Sequence, residues 1–362
     1  MKASTLTPLP YLTAEHPGVG GILKQHPEDF IVEELPLYEP SGEGDHLFLW
    51  VEKRDLSAEL LTQHIAAALG ISRDDVGMAG LKDRRAITRQ YVSVPTECEA
   101  RIAEIDSAQV RVLSTTRHAN KLKTGHLCGN RFDIHIAETV AEPLSRSEPI
   151  ADMIRATGFP NYYGEQRFGD AGETLTLGID LLAGRKTERD IPRNRRRFLL
   201  RLSLSAVQSA VFNEVLRRRI DDGLLNRVLP GDVMQVRSSG GPFIAEDIDH
   251  EQERCDQGEI CISGPMYGVK MRHPTGEAAE REREVLASFG LNPLNFRPWK
   301  KRIPGTRRPM VATVVELSLS GESNRLGLSF KLNRGTYATS LLREFMKVES
   351  THPECPSEPD QL

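Results

Sequence analysis

Ala79-Gly-Leu-Lys-Asp-Arg-Arg-Ala-Ile-Thr-Arg-Gln90 sets one acid, Asp83, among Lys82, Arg84, Arg85 and Arg89. An apolar segment with two glycines precedes it, and a run of strand character follows from Thr88 to Val94. Outward on the C-terminal side, Val110 to Thr115 and Phe132 to Ala137 also read as strands. On the N-terminal side, Gly21 to Gln25 and Phe30 to Leu35 are short apolar runs around the turn His26 to Asp29. His46 to Lys53 alternates as a strand does. Ser57 to Leu69 has helical spacing, with Leu60, Leu61, His64, Ile65, Ala68 and Leu69 on one face and Gly70 as its stop. The strands follow one another without the strand–helix rhythm of a doubly wound parallel sheet. The pattern predicts an α+β fold with a mixed or largely antiparallel sheet.

Beyond residue 157 the character changes. Glu173 to Ala183 and Ser205 to Ile220 are predicted helices, and the chain then reads as polar loop to about Met271. Glu277 to Phe289 is a charged helix, followed by a linker rich in Pro, Arg and Lys to Pro309. The early style then returns. Val311 to Leu319 and Leu326 to Leu332 read as paired strands, and Thr336 to Lys347 as a helix. The polar tail Glu349 to Leu362 is expected to be disordered. The end resembles the beginning, so one domain is expected over 1–157 and 310–362, interrupted by an insertion at 158–309.

The chain has 362 residues, 39% hydrophobic and 27% charged, enough apolar material for a sizeable core. No apolar run is long enough to cross a membrane, and the start is not a secretory signal. Five cysteines without a CxxC pair exclude a disulfide framework and fit a reducing cytoplasm. The histidines form no HxxxH or HExxH pattern, so no metal is expected. The net charge of −4 argues mildly against nucleic acid, but its distribution argues for it. Arg185 to Arg201 holds eight Lys or Arg against Glu188 and Asp190, and Arg297 to Arg308 holds six and no acid. Arg117 to Arg131 carries Arg117, Lys121, Lys123 and Arg131 with no acid. One such island is ordinarily solvated surface; three favour phosphate contact.

Three clusters could carry chemistry. Cations around Asp83 stabilise an ionised carboxylate, and carboxylates act as covalent nucleophiles. On charge spacing alone, a simple partner for Arg is the stronger reading. In Gly129-Asn-Arg-Phe132, Asn130 offers a donor and an acceptor for a base edge and Phe132 a ring for its face. The plainer alternative makes Asn130 a turn residue and Phe132 the first core residue of a strand. Phe159 to Gly169 sets four aromatics beside Arg167, which suits stacked RNA bases or a packed corner equally.

At these clusters the sequence resembles the TruD-type tRNA pseudouridine synthases. Gly80 to Gln90 fits the signature Gly-x-Lys-Asp-x-x-Ala-x-Thr-x-Gln. Pro27-Glu-Asp-Phe-Ile-Val-Glu-Glu34, Gly129-Asn-Arg-Phe132, Pro160-Asn-Tyr-Tyr-Gly-Glu-Gln-Arg-Phe-Gly169 and Gly335-Thr-Tyr-Ala-Thr-Ser340 are similar to family segments in the family's order. The resemblance implies an α+β pseudouridine-synthase domain with a family-specific inserted TRUD domain. It implies action on uridine 13 of tRNA with neither metal nor organic cofactor; no protein partner is implied, and a monomer is expected. It puts the catalytic aspartate at Asp83. It puts Phe30, Asn130 and Phe132 in the uridine pocket, Tyr337 where the family has Phe, and Lys24 beside the carboxylate.

Two rival functions follow from the same residues. A non-catalytic RNA-binding protein or RNA-folding chaperone would use the islands and aromatics without needing Asp83. A nucleotide hydrolase would want a Gly-rich phosphate loop or clustered metal ligands, and the sequence has no GxxxxGK[ST].

Overall fold

Alternation decides the first strands. In β2 (Phe30–Pro36) the buried positions are Phe30, Val32 and Glu34; in β3 (His46–Arg54) Leu47, Leu49, Val51 and Lys53 share one face. The computed structural model describes residues 7–169 and 172–348. The tail at 349–362 and its expected disorder lie outside the described residues.

In chain order, β1 (Gly20–Ile22), β2 and β3 lead to α1 (Ala58–Leu69), β4 (Gly77–Met78), β5 (Ile87–Pro95), β6 (Val110–His118), β7 (Leu127–Thr139) and α2 (Pro143–Thr157). Next come β8 (Phe159–Pro160), α3 (Glu173–Leu182), α4 (Arg196–Asp221), β9 (Val233–Val236), β10 (Pro242–Ile244), α5 (Ile248–Asp256), β11 (Ile260–Met266), α6 (Gly276–Ser288), β12 (Thr306–Pro309) and β13 (Val311–Ala312). The chain closes with β14 (Val314–Glu322), β15 (Arg325–Asn333) and α7 (Ala338–Met346).

The chain forms two compact units. Among the described residues, one holds 15–156, 313–338 and 342–348, and the other 7–14, 157–312 and 339–341. The first is built on a mixed sheet in the order β14-β15-β7-β2-β5-β3-β6, with β1 on β7 and β4 on β5. Only β2 and β5 run parallel among its described pairs. Helix α1 starts where Ser57 Oγ accepts from Leu60 N at 3.2 Å and stops at Gly70, whose φ of 66° is left-handed. Its Leu61, Ile65 and Leu69 pack on Leu47, Leu49, Val51, Val92 and Val94. Each such side chain contributes about 1.5–3 kcal/mol.

The second unit centres on α4. Helix α3 lies so close to it that a Cβ on Gly178 would stand 2.1 Å from Ser203 O. A four-stranded sheet runs in the order β10-β9-β11-β12, and β13 pairs with β8.

Several expectations are corrected here. Helix α4 begins at Arg196, nine residues before the predicted Ser205, because Leu200 and Leu204 extend the stripe of Val207 and Val211 through the basic run. The expected loop to Met271 contains β9, β10, α5 and β11, and the expected linker to Pro309 ends in β12. Helix α2 is absent from the predicted elements; Pro149 sits inside it.

Candidate active site

Two rows of side chains cross one face of the first unit's sheet. Register aligns Lys53 with Thr88, Thr88 with Val32, Val32 with Phe132, and Phe132 with Phe330. Two residues along each strand, Val51 stands by Gln90, Glu34 by Asn130, and Asn130 by Leu332. Alternation points both rows the same way. Gly129 is required at the start of this stretch, since a Cβ there would lie 2.0 Å from Leu332 O. Its absence lets β7 approach β15 and sets Asn130 beside Glu34.

The Asp83 loop lies between β4 and β5. Lys24 Nζ donates to Asp83 Oδ1 at 3.0 Å and stands 4.1 Å from the centre of the Phe30 ring. The carboxylate side chain is 49% exposed and the lysine 23%. Lys24 has φ of 57°, a left-handed conformation costing an L-residue roughly 1–2 kcal/mol. Such local strain clusters at functional sites.

The loop is also anchored from inside. Lys82 Nζ bonds Glu34 Oε2 at 2.6 Å, with side chains 4% and 1% exposed. Lys53, fully buried, donates Nζ to the carbonyl oxygens of Leu56 and Asp83, both at 2.7 Å. Burial pushes its ammonium down to about 8, against the opposing pull of Asp83.

The aromatic wall is tighter than expected. Phe132 is 5% exposed, edge-on to Phe30 at 6.3 Å and stacked on Phe330 at 5.2 Å. It is both a core residue of β7 and a neighbour of the Asp83–Lys24 pair through Phe30. Asn130 Oδ1 is buried with no hydrogen-bond partner among the described residues. The same holds for Thr88 Oγ1 and both amide atoms of Gln90. Tyr337 is half-buried at the N-cap of α7, four residues after Asn333, whose partner in β7 is Gly129.

Lys24, Phe30, Asp83, Asn130 and Phe132 therefore share one face. Asp83 pairs with Lys24 rather than with the arginines of its own cluster; Arg89 goes to Glu33 and Glu52. Glu34, Lys53, Gln90 and Phe330 are additional members that sequence reasoning missed. A signal existed for two: Glu34 and Lys53 are charges at positions that alternation assigns to a buried face.

Other clusters resolve differently. Phe159, Tyr162, Tyr163 and Phe168 are buried, and Arg308 lies 4.2 Å over the Tyr163 ring, which supports the packed-corner reading. The island from Arg117 to Arg131 is acid-free in sequence but not in space, since Arg117 pairs with Glu99 and Arg131 with Glu316. Arg307 is spent inside the second unit on Glu282 at 2.7 Å. Within that unit the other two islands meet, because Arg302 reaches Glu188 at 3.5 Å. There a hollow of about 570 Å³ is lined by Glu188, Pro298, Trp299, Lys300, Lys301 and Arg302. Among the described residues no helix is long and apolar enough to cross a membrane, and Cys98, Cys128, Cys255 and Cys261 are free thiols.

Comparison with known proteins places this architecture first by fold. The crystal structure of a Methanosarcina mazei protein assigned to tRNA pseudouridine synthase D (TruD) superposes with a TM-score of 0.74, covering 96% of each chain at 24% identity. The same α+β fold is thus shared end to end. The sequence profile of tRNA pseudouridine synthase D (TruD) matches residues 8–191 and 185–345. A tRNA pseudouridine synthase D of Anaeromyxobacter dehalogenans is 41% identical over 349 residues, 96% of this chain and 99% of that protein. One of Thermus thermophilus is 41% identical over 342 residues, 94% and 93%. The chain belongs to the tRNA pseudouridine synthase D (TruD) family, a family of isomerases.

Proposed function

We propose that this chain converts uridine 13 of tRNA to pseudouridine, with the Asp83 carboxylate as the acting group and no cofactor. One observation carries the reading: a half-exposed carboxylate oxygen is held by Lys24 at 3.0 Å beside a wall of Phe30 and Phe132. The reaction breaks the bond from C1′ to N1 and forms one from C1′ to C5. The proton leaving C5 balances the one gained at N1, so the change is a pure isomerisation. The carboxylate attacks C1′, adds to C6 or removes a ribose proton in the three routes open to this chemistry. All three need an ionised oxygen fixed within bonding distance of the nucleoside, which Lys24 supplies.

Phe132 and Phe30 form the apolar floor against which the detached base is confined. Asn130, whose Oδ1 lacks a partner among the described residues, hydrogen-bonds to the uracil. Tyr337 closes the pocket beyond β15. The unit with the nine-stranded sheet carries the chemistry, and the unit of 157–312 is the insertion. The hollow beside Trp299, Lys300 and Lys301 offers its cations to phosphates, offsetting the few kcal/mol that flipping a base out of a fold requires.

The test is Asp83→Asn against an unmodified tRNA transcript, with pseudouridine mapped by carbodiimide-dependent reverse-transcription stops. The parent protein gives a stop at uridine 13. The variant binds the tRNA with unchanged affinity and gives none. A stop of parental strength from the variant refutes the role of Asp83.

A further inference from the structure

Lys53 holds the main chain of the residue whose side chain Lys24 holds. It ends the run Leu47, Leu49, Val51, Lys53, every member of which is fully buried. An ammonium at such a position is desolvated and must be compensated. Two of its three N–H donors go to carbonyls at 2.7 Å, one in the turn before α1 and the other on Asp83 itself. Asp83, Arg84 and Arg85 are exposed, and the loop's other anchors lie to either side of Asp83. Lys82 is tied to Glu34, and Ala86 O accepts from Asp55 N at 3.1 Å. Asp83 is thus held by a lysine on its carboxylate and a lysine on its carbonyl.

We propose that Lys53 is a positioning residue for the acting carboxylate: its buried ammonium clamps the Asp83 carbonyl and so fixes where the side chain meets the nucleoside. This rests on the reading of Asp83 given above. Lys53 touches no substrate and transfers no proton. Its charged form is the one that bonds both carbonyls and attracts the Asp83 carboxylate. The charged groups that face it are Asp83 and Asp55, which favour that form, and Lys82 and Lys24, which oppose it. A displacement of about 1 Å at a reacting group slows a reaction roughly 100-fold, which sets the expected effect.

The test compares parent, Lys53→Met, Lys53→Arg and Asp83→Asn by tRNA affinity and by single-turnover pseudouridine formation from pH 6.5 to 9.5. The parent rate falls on the alkaline side with a midpoint near 8, where Lys53 loses its proton. Lys53→Met binds tRNA within threefold of the parent, reacts about 100-fold more slowly and lacks that alkaline fall. Lys53→Arg, charged throughout, recovers part of the rate and moves the fall upward. A folded Lys53→Met that reacts within threefold of the parent overturns the proposal, as does lost binding with an unchanged rate once bound. Should neither variant fold, a parent rate that stays flat from pH 7 to 9.5 overturns it. Asp83→Asn separates the two readings. If it retains the parent rate, the role of Asp83 fails; if it is inactive while Lys53→Met reacts within threefold of the parent, only the clamp fails.

Discussion

Replacing Glu34 with Gln removes the carboxylate that holds Lys82, and the size of the effect follows from the site. The two side chains are 1% and 4% exposed and 2.6 Å apart. At that separation and an effective dielectric constant of about 20, the gross attraction is about 6 kcal/mol. Desolvation of both ions offsets much of it, but breaking such a pair from one side costs about 3–5 kcal/mol, because a buried charge stays behind. The glutamine carbonyl still accepts from Lys82, returning about 1 kcal/mol. The expected loss is therefore about 3 kcal/mol. The double variant Glu34→Gln with Lys82→Met leaves no charge and should lose less than either single change, giving a coupling of 2 kcal/mol or more. The molecule supplies its own reporter. Its two tryptophans fall one in each unit, Trp50 in β3 and Trp299 in the other. On a Trp299→Phe background, urea unfolding followed by Trp50 fluorescence reads the unit that contains the pair. A Glu34→Gln protein within 1 kcal/mol of its parent, or a double variant as unstable as Lys82→Met, refutes the idea that the pair supports the loop.

Changing Arg297, Lys300 and Lys301 together to Gln should flatten the dependence of log affinity for tRNA on log salt by about 2, since each phosphate contact contributes roughly 0.7–0.9 to the slope. Parallel slopes between 50 and 200 mM salt would remove this surface from the interface. Lys53 also makes a stability prediction whose sign opposes its effect on rate. Its folded value of about 8 lies below the ordinary 10.5, so between those limits the unfolded chain binds more protons and stability rises with pH. The full span is about 3 kcal/mol, and about 2 kcal/mol of it falls between pH 7.5 and 9.5. Subtracting the same curve for Lys53→Met isolates the contribution. A parent-minus-variant stability that falls as pH rises contradicts the buried lysine described above.

Much of the first unit is legible because its elements obey one periodicity each. Ser57 and Gly70 bracket a helix whose Leu61, Ile65 and Leu69 repeat correctly, and β2 and β3 alternate. Position 83 is legible through its motif and its cations. What sequence does not show is which lysine holds which oxygen. Lys24 and Lys53 are 59 and 30 residues from Asp83, and only strand order brings them to it. The second unit hides for a different reason. Its sheet is made of strands of three to seven residues separated by polar turns, too short for alternation to stand out. In α4 the arginines mask an apolar stripe that begins at Leu200.

The face that carries Asp83 is a poor design for stability alone. Gln90 is fully buried with neither amide atom bonded among the described residues, and Thr88 beside it is the same. Each unpaired polar group costs about 1–3 kcal/mol. Lys53 and Glu34 on these strands, and Lys82 in the loop before β5, add three buried charges. The apolar stack of α1 on β3 and β5 supplies the stability that lets such a face persist. Sequences break local rules where function requires it, and the breaks at Lys53, Thr88, Gln90, Glu34 and Asn130 fall together. They lie in two adjacent rows, on strands next to one another, beneath one half-exposed carboxylate. A core built only to fold would have no reason to set these five polar side chains side by side. The active site proposed above, which must hold a carboxylate still and meet the edge of a pyrimidine, would have one.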